Sequence, residues 1–166
     1  MTPVVWLVDM GYVIKASEGL FKLDYAKAQG VLRHELGPVQ SWLFNSYNSH
    51  SGVEPSMEGF YRLMEEQHGM RVRLQPLGWD SHGAVAQRRV DVDLASTMVW
   101  LASRPELRSI VLTTGDQDFI PAVELVIEEY DREVILFSYD RYVSGELADA
   151  VDEHWLFEEF EARLAR

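Results

Sequence analysis

Asp9, Asp91, Asp116 and Asp118 are the side chains of this sequence whose type and placement point to chemistry. Asp9 closes the apolar run Val4-Val5-Trp6-Leu7-Val8. Asp116 and Asp118 follow Ile110-Val111-Leu112-Thr113-Thr114-Gly115, and Gly115 permits a tight turn beside a ligand. Asp91 opens a helical pattern from Val92 to Ala102. It stands three and four residues before Leu94 and Ala95, which places it on the buried stripe, in the first turn. In an open parallel sheet, strand ends and helix starts share one edge, and ligands bind there. Carboxylates gathered at that edge suit hard divalent cations such as Mg²⁺ or Mn²⁺. Each aspartate alone also fits a plainer role, as a turn residue or a helix cap. Their convergence on one edge argues for a site. Asp152, after a short helical segment, is a further candidate that could join from the far side.

The elements that must position these residues alternate between strand and helix. Strand signals cover Val4–Val8, Val39–Phe44, Met70–Leu74, Ser109–Thr113 and Glu133–Phe137. Helical spacing covers Tyr25–Leu36, Ser56–Gln67 with Ser56 as N-cap, Val92–Ala102, Pro121–Tyr130 and Ser144–Val151. Asn45–Pro55 reads as a loop, and so does Gln75–Arg89, where Pro76 and Gly78 break the strand pattern. The segment 155–166 reads as a terminal helix. Such alternation predicts parallel strands covered by helices on both faces, a three-layer α/β/α sandwich. Nothing along the 166 residues marks a linker or an internal repeat, so one domain over 1–166 is expected.

Bulk composition narrows the classes. An apolar fraction of 47% and a charged fraction of 25% are ordinary for a globular protein. The absence of cysteine excludes a disulfide scaffold, a thiolate metal site and a cysteine nucleophile, and it fits a reducing, cytoplasmic setting. No stretch is apolar enough to span a membrane. A net charge of −12 works against unspecific phosphate binding. Bound cations or a local basic patch would offset it. Trp79, His82, Arg88 and Arg89 share the Gln75–Arg89 segment and suit an unstacked single strand. The Asn45–Gly52 segment, with Tyr47 and His50, is a second candidate rim.

At the aspartates the chain resembles the NYN family, the LabA-like branch of the PIN-domain-like nucleases. The resemblance covers nearly the whole chain. Arg88-Arg89-Val90-Asp91-Val92-Asp93-Leu94-Ala95 is similar to the family's Lys-x-x-Asp helix start, with Arg88 in the lysine's place. Thr114-Gly115-Asp116-Gln117-Asp118-Phe119-Ile120-Pro121 is similar to its Ser-Gly-Asp-x-Asp-Phe-x-Pro motif, which is specific. Leu147–Asp152 resembles the closing segment that carries a late aspartate. The resemblance implies a PIN-like (Rossmann-like) sheet of five or six mostly parallel strands and a metal-dependent ribonuclease site. Two positions depart from the pattern: Tyr12 stands where the family often has Asn, and Thr97 where it often has Asp.

The expectation is an endoribonuclease that hydrolyses single-stranded RNA with Mg²⁺ or Mn²⁺ held by Asp9, Asp91, Asp116 and Asp118. Thr114, Arg88, Arg89 and Trp79 would contact the substrate, with Tyr12 and Asp152 as additional candidates. Two other readings stand beside it. One is a weakly active or inactive module that binds RNA or protein, favoured by Tyr12 and Thr97; a homodimer or a protein partner is an expectation under either reading. The other is a phosphatase resembling the haloacid dehalogenases, from Val8-Asp9-Met10-Gly11-Tyr12-Val13 and Gly115-Asp116. Against that one, Gly11 replaces the usual second acid.

Overall fold

The computed structural model describes residues 2–79, 85–86 and 88–166, and of Trp79, Val85, Ala86 and Arg88 the backbone alone. Strand β1 (Val4–Asp9) leads directly into α1 (Met10–Ala16); α2 (Tyr25–Leu36) and β2 (Val39–Asn48) follow. Then come α3 (Pro55–His68), β3 (Arg71–Trp79), the two-residue β4 (Val85–Ala86) and α4 (Arg88–Ala102). The remainder is β5 (Ser109–Thr113), α5 (Ile120–Glu124), β6 (Glu133–Ser138), α6 (Gly145–Ala150), β7 (Glu153–Leu156) and α7 (Glu161–Leu164). A 3₁₀ turn at Gln117–Phe119 precedes α5 and a π-helical turn at Leu125–Glu129 follows it.

The sheet runs β4-β3-β2-β1-β5-β6-β7. All its pairings are parallel except that of β4 with β3. Six parallel strands between helical layers make the PIN-like α/β/α sandwich that the alternation predicts. β1 lies at the centre, and its side chains alternate between two cores. Val4, Trp6 and Val8 face the layer that holds α1, α2 and α3; Val5 and Leu7 face the layer of α4 and α5. Burial on both faces is why the run is continuously apolar rather than alternating.

Several boundaries differ from expectation. α1 begins at Met10 with no intervening turn, because the Asp9 side chain caps it. β2 runs on to Asn48 and β3 to Trp79, so part of each expected loop is strand. Pro76 is tolerated because β3 is next to the sheet's end, where a missing N–H leaves no inner ladder unpaired. The Ser56 cap is displaced: Pro55 occupies the first turn of α3 and Glu54 precedes it, with no side-chain cap bond. Of the expected terminal helix only α7 is α-helical; Glu153–Leu156 pairs with β6, and Phe157–Phe160 forms a 3₁₀ turn. No helix among the described residues is long and apolar enough to cross a membrane.

Candidate active site at the aspartate edge

Asp9 ends β1 and caps α1. Its Oδ1 accepts the Tyr12 backbone N–H at 3.3 Å. Its Oδ2 accepts the Thr114 hydroxyl at 2.9 Å. Thr114 lies one residue beyond β5, on the strand adjacent to β1, and is fully buried. Its Oγ1 also accepts the Asp116 backbone N–H at 3.3 Å, so the hydroxyl proton is directed at Asp9. Burial raises the Asp9 carboxyl above its ordinary pKa; the Thr114 and Tyr12 hydrogen bonds oppose that and the Asp116 charge adds to it.

Asp91 sits in the first turn of α4. Burial, and then repulsion from Asp9, Asp116 and Asp118, push its carboxyl up to about 6. Asp116 caps the 3₁₀ turn, its Oδ1 accepting the Asp118 N–H at 2.8 Å. Asp118 is exposed. A cleft of ≈ 330 Å³ opens here, lined by Asp9, Asp91, Thr114 and Asp116 together with Gly11, Tyr12, Lys15, Gly115 and Tyr142. Among the described residues no three His, Asp or Glu side chains stand close enough to hold an ion as they are placed.

The cleft's other wall is tied across the fold. The Tyr12 hydroxyl is shared between the carbonyls of Tyr139 at 3.2 Å and Arg141 at 3.0 Å. Tyr142 adopts the left-handed conformation, with φ 54, and its backbone packs on Gly115. A Cβ at Gly115 would fall on the Tyr142 carbonyl oxygen and 2.9 Å from Tyr12 Cε2. The Ser144 N–H bonds the Gly115 carbonyl at 2.9 Å, closing the contact.

The structure thus brings Asp9, Asp91, Asp116, Thr114 and Tyr12 together, with Asp118 close enough for its charge to act on Asp91. Asp152 is elsewhere. Its Oδ2 accepts the Val134 N–H at 2.8 Å, at the start of β6 and therefore at the opposite edge. It ties two backbone segments and does not join the cluster. Arg89 is exposed and faces a neighbouring hollow with Gln75, Val92 and Ser96, outside the cleft. Thr97 is buried beside Trp42 and Trp100, away from the aspartates. Asp93, two residues after Asp91 and therefore on another face of the helix, accepts both Arg73 Nη2 at 2.7 Å and Nε at 3.1 Å. The side chains of Trp79 and Arg88, and the whole of His82, lie outside the described residues.

Two cleft residues escape sequence reasoning: Lys15 and Tyr142. Among the described residues lining the cleft, Lys15 is the cation, and its Nζ stands 4.9 Å from the centre of the Tyr142 ring. The spacing of Tyr12 and Lys15, three apart on α1, would have placed Lys15 on this wall had the helix been assigned. Tyr142 carries no local signal, because tertiary packing alone brings it here.

The NYN domain family model matches residues 11–158. The chain belongs to the NYN domain family. Membership removes the main support for the phosphatase alternative and points to the nucleases of the PIN-like superfamily. No protein of curated function matches this NYN chain. Among solved structures it is similar to VPA0982 from Vibrio parahaemolyticus RIMD 2210633, a protein of unknown function, at 23% identity and a TM-score of 0.76. That likeness covers 92% of this chain and 91% of the other, and it speaks for the fold alone. A second structure, LpCGTa in complex with UDP, is 13% identical with a TM-score of 0.40, covers 82% of this chain and 31% of that one, and carries no argument.

Proposed function

We propose that this NYN domain is a metal-dependent endoribonuclease acting on single-stranded RNA in the cytoplasm, with the aspartate cleft as its site. The observation that supports the reading most is Asp91. Its carboxyl is partly buried and crowded by Asp9, Asp116 and Asp118. A cluster of hard oxygen donors under mutual repulsion gains most from a divalent cation, which fits Mg²⁺ or Mn²⁺. Asp9, Asp91, Asp116 and Asp118 would hold it, drawn together from their present positions. When bound, the ion supplies charge neutralisation at phosphorus and an acidified water as nucleophile.

The chain's own residues do the rest. The Thr114 hydroxyl fixes the orientation of Asp9 from inside the fold. Lys15 places an ammonium at the cleft wall, where a phosphate oxygen enters. Arg88 and Arg89, at the start of α4, and Trp79 meet the flanking nucleotides. A second reading, an RNA-binding module of low activity, is favoured by Tyr12, whose ring and hydroxyl hold the 139–142 segment against the cleft. Cleavage of a labelled unstructured RNA with Mn²⁺, beside calorimetric metal titration, tests both. Wild type should cut and Asp116→Asn should neither cut nor bind metal. Equal cleavage by the variant sinks the nuclease site as drawn, and metal-independent RNA binding without cleavage establishes the second reading.

A further inference from the structure

A second surface follows α4 away from the aspartates. Between β3 and the C-terminal half of α4 lies a hollow of ≈ 660 Å³ lined by Trp42, Arg71, Arg73, Thr97 and Trp100 among others. It continues into a smaller one of ≈ 180 Å³ that shares Trp42 and Arg71 and adds Arg104. At the other end a hollow of ≈ 430 Å³ beside Arg89, Val92 and Ser96 reaches the first turn of α4, which carries Asp91. Successive turns of α4 therefore border a track of roughly 20 Å from Arg89 to Ala102, with Arg104 just beyond the helix's end.

The chemistry of the track is uncommon in a chain of net charge −12. The Arg71 guanidinium stands 4.9 Å from the Trp42 ring centre, and that of Arg104 stands 4.1 Å from the Trp100 ring centre. The two indoles meet edge to face at 6.4 Å. Among the described residues the ion pairs are His34–Glu35, Arg73–Asp93 and Arg163–Glu35, so Arg71 and Arg104 are placed by stacking and keep their donors open. Trp100 is 51% exposed. Glu65 and Glu106 stand in the walls and Arg73 is neutralised by Asp93, so Arg71 and Arg104 are the groove's open cations among the described residues. A strand-like protein partner is disfavoured, because the outer edge of β3 presents Arg71 and Arg73, charges of the kind that block edge pairing. An exposed indole flanked by unpaired guanidiniums meets both needs of an unstacked strand, a platform for bases and donors for phosphates.

We propose that this β3–α4 groove binds the single-stranded RNA flanking the scissile bond, with a base on Trp100 and phosphates on Arg71 and Arg104. The inference rests on the ribonuclease reading and extends it to a second contact region. The test uses the full chain in EDTA, so that cleavage cannot intervene, and a fluorescein-labelled oligouridylate of about twelve nucleotides, within the span that single-strand grooves cover. Trp100→Ala should weaken binding roughly tenfold, and Trp100→Phe should restore most of it. Arg71→Gln with Arg104→Gln should flatten the slope of log affinity against log salt by about 1.4, near 0.7 for each phosphate contact. With Mn²⁺ present, both variants should still cut a dinucleotide too short to reach the groove. If wild type binds and cuts RNA while the variants bind the oligomer as tightly and with the same slope, the groove is not the path and the ribonuclease reading survives. If wild type neither binds nor cuts RNA, both fall. If Trp100→Ala changes only the sedimentation of the protein, the groove joins two chains and the inference is overturned.

Discussion

Replacing Asp91 by asparagine should make the metal-free protein more stable while abolishing metal binding. The carboxyl rises from 3.8 to about 6 on folding. At about 1.4 kcal/mol per unit, the whole shift corresponds to a ceiling of about 3 kcal/mol. Asp91 is partly open to solvent, and screening reduces that to roughly 1 kcal/mol. The first turn of α4 favours an anion by about 0.3–1 kcal/mol, which keeps the gain at the low end. With at most about 0.7 kcal/mol remaining, the melting temperature at pH 7.5 in EDTA should rise by about 1–3 °C for a chain of this size. The pH dependence has a defined sign. The folded-state pKa is raised, so between pH 3.8 and about 6 the folded protein holds a proton that the unfolded chain lacks. Stability from that proton is fully present below the unfolded value and lost as pH climbs through the folded one. The advantage of Asp91→Asn is therefore complete above pH 6 and gone near pH 3.5. Thermal melts of both proteins at pH 7.5 and pH 4, in EDTA and in Mn²⁺, measure it. A variant no more stable than wild type at pH 7.5 without metal, or equally advantaged at both pH values, refutes the account of a crowded, buried carboxyl.

Two further outcomes probe the frame around the site. Gly115→Ala drives a methyl group into the Tyr142 backbone and toward the Tyr12 ring, so it should cost about 1–3 kcal/mol in denaturant melts and lower cleavage through displacement of the cleft wall. Asp152→Ala removes the acceptor of the Val134 N–H at the far edge; it should lower stability by about 1–2 kcal/mol and leave metal affinity, read by calorimetry, unchanged.

The parts of this fold legible in the sequence are those whose burial is written locally. β1, β5 and β6 are short β-branched or apolar runs shielded on both faces, and each sits where its residues predict. Asp9 and Asp116 show why the aspartates were ambiguous singly: each is a capping residue and a cleft residue at once, since an N-cap at a strand's end necessarily points to the ligand edge. What was not legible depends on distant partners. Asp152 reads as a late acid until Val134, 18 residues away, is seen to claim it. Asp93 reads as a surface charge until β3 brings Arg73 alongside. Pro76 hides the end of β3 because its cost depends on which neighbour the strand has, a property of the sheet and not of the dipeptide.

The central position of β1 has a consequence for synthesis. β1 pairs with β2 on one side and with β5 on the other, and in the chain β2 comes soon after it and β5 only after β3, β4 and α4. A growing chain can assemble β3-β2-β1 early, yet the second edge of its most apolar strand then waits, unpaired, for Ser109–Thr113 to emerge. An open apolar edge of that kind is where chains associate wrongly. Asp9 and its hydroxyl partner Thr114 are 105 residues apart, so the cleft cannot exist until that edge is closed. The order of the strands thus withholds the cleft from every growing chain that has not yet reached Thr114.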